Sequence, residues 1–266
     1  MKQKKQADWT WRASKISEIE DKKIRDSNKW LFEDWIHPNK LDDFKGKTAV
    51  DCGCGDGRFI NLVVPFCKEV YGVDLNTTKI AKDFANNKNV KIVEGDIANV
   101  TLKKKFDIVY SIGVLHHTDD PTKSFNNIKK FAKEGGKVIV WVYSYEGNYL
   151  NRTLLEDLKR KIFLRMSKKN LWRLSRLTTA FMYLPIYTIY LLPIRSLPFY
   201  LYFKNWRKLN FKRNTMNVFD KLNAPTTFFI KKETLKEWFD PKEFSDIHMS
   251  SYKGVSWRGS GKLLKN

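Results

Sequence analysis

The chain has 266 residues, of which 42% are hydrophobic and 30% are charged. This length suits one large domain or a core with an elaborated cap, and the hydrophobic content excludes an intrinsically disordered chain. The formal net charge of +21 favours an anionic partner, such as nucleic acid, an anionic membrane or a phosphorylated substrate, although a lysine-rich soluble protein carries the same charge.

The N-terminal part of the chain is predicted to be helical. Residues 1–8 form a basic tail without the apolar segment of a signal peptide, which favours a cytoplasmic protein. Between residues 9 and 36, tryptophan and isoleucine side chains alternate with charges, which predicts one or two amphipathic helices that end before Pro38.

A glycine-rich turn follows the first predicted strand, at 47–51. Glycines occupy positions 53, 55 and 57 in a G-x-G-x-G pattern, and a helix is predicted over 57–66. The dinucleotide-binding pattern G-x-G-x-x-G needs a glycine at position 58, which is Arg58, and no P-loop ending is present. The turn therefore predicts a nucleotide-type ligand that is neither NAD nor a P-loop triphosphate.

Strands and helices alternate from this turn to residue 143. Further strands are predicted at 69–74, 90–94, 106–111 and 136–143, and further helices at 77–86 and 122–133. This alternation predicts a parallel, doubly wound α/β sheet with its ligand at the carboxyl ends of the strands. There Asp74 can accept hydrogen bonds from ribose hydroxyls, while Asp96 can accept one from an adenine amino group and Ile97 can cover the ring.

In this order and spacing, the segments resemble the class I S-adenosylmethionine-dependent methyltransferases, in particular the type 11 or ubiquinone-biosynthesis-like branch, over roughly residues 45–145. The resemblance implies S-adenosylmethionine as cofactor and a Rossmann-like, doubly wound seven-stranded sheet whose last strand is antiparallel. It also implies contacts with the ribose by Asp74 and with adenine by Asp96 and Ile97. The residues implied to contact the methionine part are Asp51, Gly53, Gly55, Gly57, Ser111 and Gly113.

The chain is accordingly divided into four predicted parts. They are a helical lid at 1–45, the cofactor-binding core at 46–145, a basic and aromatic helical cap at 146–219 that is inserted after strand five, and a C-terminal part at 220–266. In the last part, a helix is predicted over 231–239 and a strand hairpin over 244–252 and 255–257, which completes the sheet.

The cap contains an uncharged run from Leu177 to Ile194 that has the length of a short membrane span. Pro185 and Pro193 argue against a span, because each removes a backbone hydrogen bond. Two interpretations remain, in which the run either walls a substrate pocket or docks at a membrane interface between flanking basic residues.

The candidate catalytic residues are His116 and His117, which directly follow the fourth strand, and Asp220, which returns from the cap. Histidine titrates near neutral pH and can take the proton that a hydroxyl acceptor loses during methyl transfer. No metal site is predicted, because the three cysteines lack zinc spacing, and they are expected to be free thiols.

Three functions are compatible with these patterns. The first is a cytoplasmic methyltransferase for a small or amphiphilic acceptor, such as a quinone precursor, a lipid-linked intermediate or a surface sugar, with an anionic membrane surface at the inner face as an alternative location. The second is an RNA methyltransferase, favoured by the charge but not by any separate RNA-binding module. The third is a membrane-surface adaptor that keeps the cofactor fold without catalysis.

Overall fold

A computed structural model describes residues 9–15 and 22–265, with the side chains of 14 and 15 left out. The predicted basic tail at 1–8 and the part of the predicted amphipathic region at 16–21 lie outside the described residues. The rest of that region forms two helices, and the second buries Ile24, Phe32 and Ile36 completely. Its apolar face therefore packs on the protein, as the alternation of apolar and charged residues predicts.

The centre of the molecule is a seven-stranded sheet. Its strands are β1 (Thr48–Cys52), β2 (Glu69–Asp74), β3 (Val90–Glu94), β4 (Phe106–Ile112), β5 (Ala132–Tyr143), β6 (Phe244–Tyr252) and β7 (Ser256–Leu263). The strand order is β3-β2-β1-β4-β5-β7-β6, and the first five strands are parallel. Strand β7 runs antiparallel to both β5 and β6. The predicted fold class, a Rossmann-like seven-stranded α/β sheet, is confirmed.

Helices cover the sheet and form the cap. They are α1 (Thr10–Lys15), α2 (Lys22–Ile36), α3 (Arg58–Val63), α4 (Thr78–Phe84), α5 (Pro121–Ile128), α6 (Glu156–Lys161), α7 (Lys168–Ile186), α8 (Tyr200–Trp206), α9 (Phe211–Asn223) and α10 (Lys232–Trp238). Two buried apolar clusters lie against the sheet, and a third joins helices of the cap. No helix in the described ranges is long and apolar enough to cross a membrane.

Two strands differ in length from the sequence prediction. Strand β5 begins at Ala132 rather than at residue 136, because Gly135 and Gly136 form an irregularity in its pairing with β4 instead of a separate turn. Strand β7 continues to Leu263 although its sequence is poor in strand-forming residues. Added Cβ atoms at Gly259 and Gly261 would lie 2.6 and 3.2 Å from the Phe239 ring, so these glycines allow close packing against the sheet.

The cap is fastened to the sheet where it begins. The side-chain amide of Asn148 donates hydrogen bonds to the carbonyls of Ser144 and Val255, at 2.8 and 2.7 Å. A Cβ atom at Gly147 would lie 1.5 Å from the carbonyl oxygen of Gly254 in the β6–β7 turn. The backbones of the cap and the hairpin therefore touch directly, and only glycine fits at this position.

Candidate functional site

The glycine-rich turn is held in one conformation by the strands beside it. Gly53, Gly55 and Gly57 have φ angles of +92°, +58° and +83°, which residues other than glycine rarely adopt. The amide of Gly53 donates to the Val73 carbonyl at 2.8 Å, and a Cβ at Gly53 would lie 2.4 Å from a methyl of Val114. The turn thus follows β1 closely and leaves its outer side to a ligand.

Asp74 connects the turn to the end of β2. One carboxylate oxygen accepts from the Gly55 amide at 3.0 Å, and the other accepts from the Asn76 amide and from the amide and hydroxyl of Thr77. The Thr77 hydroxyl also lies 2.5 Å from the Gly55 carbonyl, so its single proton is shared between this carbonyl and Asp74. Because one Asp74 oxygen has a single protein donor, it retains acceptor capacity toward the cavity that this residue lines.

Three neighbouring cavities lie at the carboxyl ends of the strands. The first, here called the loop cavity, has a volume of about 180 Å³ and is lined by the glycine turn, Asp74 and residues after β4. The strand-edge cavity, of about 80 Å³, shares Gly53, Asp74 and His117 with it and extends to Asp96 and Ile97. The cap cavity, also of about 80 Å³, lies on the other side and reaches Tyr202 and Trp206 of α8.

The donors and acceptors around the first two cavities fit S-adenosylmethionine. Beneath the turn, Asp51 is 1% exposed, and one of its carboxylate oxygens has no hydrogen-bond partner within the described part of the chain. Burial raises the pKa of Asp51 well above its usual value, while the nearby Arg58 guanidinium opposes that shift. Asp51 itself lines neither cavity, so only a ligand ammonium that reaches beneath the turn would satisfy this acceptor. Arg58 lines the loop cavity where a ligand carboxylate could lie, and Asp74 can accept from ribose hydroxyls.

The residues that the resemblance implies as cofactor contacts differ in how freely they can reach a ligand. Gly113 lines the loop cavity and has a φ of +79°. Its amide already donates to the Trp141 carbonyl at 3.0 Å. Ser111 is fully buried, and its hydroxyl donates to the Cys52 carbonyl at 2.8 Å, so it supports the end of β1 from behind. Asp96 lines the strand-edge cavity, but its carboxylate already accepts from Ala98 and Asn99.

The two histidines occupy different positions. His116 is fully buried and packs on Tyr143, with ring centroids 4.1 Å apart, and it does not line any of these three cavities. His117 lines both the loop cavity and the strand-edge cavity, and its Nδ1 lies 3.0 Å from the Thr226 carbonyl. Since a carbonyl only accepts, Nδ1 carries the proton in neutral His117, and Nε2 is left as an acceptor.

Asp220 lies where the loop cavity meets the cap cavity and lines both. Its carboxylate forms an ion pair with Arg12 of α1, with 2.6 Å between Nε and Oδ1, and Arg12 is 5% exposed. The described part of the N-terminal segment therefore lines the loop cavity, and its role as a lid stays a prediction. On α9, Arg213 and Asn217 line the same two cavities at helical spacing from Asp220, and Arg213 donates to Asn217 at 2.8 Å.

Sequence reasoning did not identify the aromatic wall between the loop and cap cavities. Trp35 of α2 and Trp141 of β5 stack with ring centroids 4.6 Å apart, and both line the two cavities with Tyr143. The indole N–H groups of Trp35, Trp141 and the nearby Trp206 are buried without partners in the described residues. The only sequence signal was the high tryptophan content of the N-terminal segment, which does not indicate the direction of any ring.

The fold, and the residues that line these cavities, are like those of the class I S-adenosylmethionine-dependent methyltransferases. Residues 50–140 match the family model described as a methyltransferase domain. The match includes the glycine turn, Asp74, Asp96 and both histidines. The lid, the cap and the final hairpin lie outside it.

Known relatives share the core but not a common acceptor. The chain is 29% identical to the putative methyltransferase 235L of Invertebrate iridescent virus 6, over 57% of this chain and 54% of that protein. It is 28% identical to the tRNA U34 carboxymethyltransferase of Pseudoalteromonas translucida, over 48% of this chain and 40% of that protein. It is 32% identical to phosphoethanolamine N-methyltransferase 1 of Triticum aestivum, over 40% of this chain and 22% of that protein. The chain thus spans about half or less of the length of these relatives.

Acid should destabilise the protein through His117. Burial lowers the pKa of His117 from 6.5 to about 4, so below pH 6.5 the unfolded chain binds a proton that the folded chain does not. The contribution of His117 to stability is therefore complete above pH 6.5 and falls by about 1.4 kcal/mol per pH unit down to about pH 4. Urea unfolding of His117→Gln at several pH values should show a shallower fall than the wild type over this range. Parallel curves for the two proteins would contradict the assignment.

Proposed function

We propose that the chain is a methyltransferase that uses S-adenosylmethionine and acts on a small or amphiphilic acceptor bound in the cap cavity. The observation that carries the proposal is the meeting of the loop cavity and the cap cavity at one wall formed by Trp35, Trp141, Tyr143 and Asp220. The match of residues 50–140 to a methyltransferase domain supports the cofactor half, and the cap cavity, which shares these four lining residues, supplies room for an acceptor beside the methyl group.

The residues around the loop and strand-edge cavities would hold the cofactor. We assign the methionine part to the turn of Gly53, Gly55 and Gly57 with Asp51 beneath it, the ribose to Asp74, and adenine to Asp96 and Ile97. When bound, S-adenosylmethionine supplies a methyl group on a sulfonium that is open to in-line attack. The lid residues Trp9 and Arg12 line the loop cavity and help to exclude water from it.

Asp220 is the better candidate for handling the acceptor proton. His117 lines the two cavities assigned to the cofactor and not the cap cavity, whereas Asp220 lines the cap cavity and the loop cavity. The Asp220 carboxylate, which is paired with Arg12, can accept a hydrogen bond from a hydroxyl or an amine. We therefore assign acceptor positioning and proton removal to Asp220, and cofactor contact to His117.

The cap cavity favours a partly aromatic or amphiphilic acceptor with oxygen atoms. Its wall combines indole and phenol rings with N–H groups that lack partners in the described ranges, including those of Trp35 and Trp206. Such a lining suits an aromatic ring or an apolar chain that carries carbonyl or hydroxyl groups. Quinone precursors and lipid-linked intermediates fit this description, and a surface sugar fits the hydrogen-bonding part of it. A peripheral position at the inner membrane face would suit these acceptors.

RNA is the second candidate acceptor. Two observations favour it, the net charge of +21 and the similarity to a protein named as a tRNA U34 carboxymethyltransferase. An RNA complex would lose affinity steeply as the salt concentration rises, because bound phosphates release counterions.

The test is transfer of tritium from methyl-labelled S-adenosylmethionine to three acceptor pools: total lipid extract, total RNA and water-soluble metabolites. We expect label in the lipid pool, and labelled RNA would replace the first candidate with the second. Binding of S-adenosylhomocysteine without transfer to any pool would favour the adaptor function. With the labelled pool as substrate, Asp220→Asn should reduce kcat/KM roughly tenfold and change the Kd for S-adenosylhomocysteine less than about threefold. Equal losses in both quantities would contradict its assignment to the acceptor.

A further inference from the structure

The outer surface of the cap exposes a large apolar area. On α7, Leu177, Phe181 and Leu184 lie on one helix face and are 59%, 79% and 72% exposed. The opposite face of α7 is already buried, through Leu171, which is 1% exposed, and its partners on α9. The exposed side chains are therefore not the packing face of the helix.

The apolar area continues beyond α7. The turn at Ile189–Leu191 contacts both α7 and α8, so these three elements form one continuous surface. The members of this surface, here called the apolar patch, are each between 44% and 79% exposed: Leu177, Phe181, Leu184, Tyr187, Ile189, Leu191, Leu192, Ile194 and Leu201. Isolated exposed leucines are ordinary on soluble proteins, but a contiguous group of this size marks an interaction site.

The charges around the patch indicate what it contacts. Residues 158–219 contain 14 lysine and arginine residues and no aspartate or glutamate. On α7, Arg173 is exposed one turn before Leu177 and Arg176 is exposed directly before it, and Arg195 and Lys204 are exposed beside Ile194 and Leu201 of the patch. None of these four side chains forms an ion pair with a residue in the described ranges. An apolar surface on a segment whose charged residues are all basic complements an anionic lipid bilayer.

We propose that the apolar patch docks the protein on an anionic membrane surface, with α7 lying in the plane of the interface. The aromatic and aliphatic side chains would enter the boundary between headgroups and acyl chains, while the arginines and lysines contact anionic headgroups.

Helix α8 links this surface to the cap cavity. Leu201 of α8 is 50% exposed on the patch, whereas Tyr202 and Trp206 of the same helix line the cap cavity. Only one helix therefore separates the membrane-facing surface from the cavity that we assign to the acceptor. We infer from this that the acceptor is an amphiphile that enters the cap cavity from the bilayer beside α8. This inference about the acceptor rests on the proposed function.

Docking is tested by vesicle flotation, which needs neither cofactor nor acceptor. The variant Leu177→Gln/Phe181→Gln/Leu184→Gln should partition at least about tenfold less than the wild type into vesicles of phosphatidylcholine with phosphatidylserine. The variant Arg173→Gln/Arg176→Gln should also bind these vesicles less than the wild type. Binding of the wild type should fall when salt is added, and it should be weaker on vesicles of phosphatidylcholine alone. Leu154→Gln is the matched control, because Leu154 is 61% exposed but lies outside the patch, and it should bind like the wild type.

Several outcomes would overturn the proposal. They are an absence of wild-type flotation, an equal loss in Leu154→Gln, and binding that is indifferent to lipid charge. If the patch instead joins two copies of the chain, sedimentation velocity would show a dimer that the triple variant dissociates, and wild-type vesicle binding would be absent. Binding of S-adenosylhomocysteine, measured on every variant, shows that the core is folded. Failure of docking with intact cofactor binding would leave the methyltransferase proposal standing.

Discussion

Replacing Asp74 by alanine should weaken the binding of S-adenosylhomocysteine about 100-fold, which is about 2.7 kcal/mol. Two losses combine in this variant. The ribose hydroxyls that we assign to Asp74 would be buried without an acceptor, and the Gly55 amide and the Thr77 hydroxyl would lose the carboxylate that fixes the turn. Titration calorimetry measures the change directly.

Asp74→Asn is the matched control for this substitution. An asparagine keeps one acceptor oxygen and the size of the side chain but loses the charge and one acceptor. Its affinity should fall between those of Asp74→Ala and the wild type. If Asp74→Ala binds S-adenosylhomocysteine as tightly as the wild type, the assignment of the ribose to Asp74 is wrong.

Replacing Gly147 by alanine should lower the free energy of unfolding by about 3 to 5 kcal/mol. The new Cβ would lie 1.5 Å from the Gly254 carbonyl oxygen and 2.6 Å from the carbon of that carbonyl. Both atoms belong to the backbone, so the start of the cap and the β6–β7 turn must separate. That movement also breaks the 2.7 Å hydrogen bond from Asn148 to Val255. Urea unfolding measures the loss.

Gly135→Ala is the control for Gly147→Ala, because it introduces backbone strain without a steric clash. Gly135 has a φ of +69°, but its added Cβ would have no atom within 4 Å, so we expect a loss of only about 1 to 2 kcal/mol. Gly147→Ala should therefore be clearly the less stable of the two. A Gly147→Ala protein as stable as the wild type would show that the cap is not fastened at this point.

The sheet was predictable from the sequence because it depends on local patterns, and the residues predicted to contact the cofactor rest on the same kind of pattern. The β-branched runs, the glycines at 53, 55 and 57 and the acidic residues that end strands all lie within short segments. The positions of β2 and β3 agree with the prediction to the residue. The contacts proposed for individual cofactor-binding residues stay predictions, although the cavities place most of them together.

The acceptor half could not be predicted in the same way. Trp35 and Trp141 are separated by more than 100 residues, and their stacking depends on how α2 crosses the sheet. The adjacent residues His116 and His117 look equivalent in the sequence, but only His117 lines the loop cavity. The uncharged run after Leu177 left two interpretations open, and the exposure of Phe181 and Leu184 argues against a buried wall at these two positions, while membrane docking stays our proposal.

The most direct test of the cofactor site is an experimental structure of the protein with S-adenosylhomocysteine. We expect the ribose hydroxyls within hydrogen-bonding distance of Asp74, adenine beside Asp96 and Ile97, and the sulfur in the loop cavity facing the wall of Trp141 and Asp220. A ligand in any other cavity, or one bound in the loop cavity with its ribose away from Asp74, would contradict the proposed site.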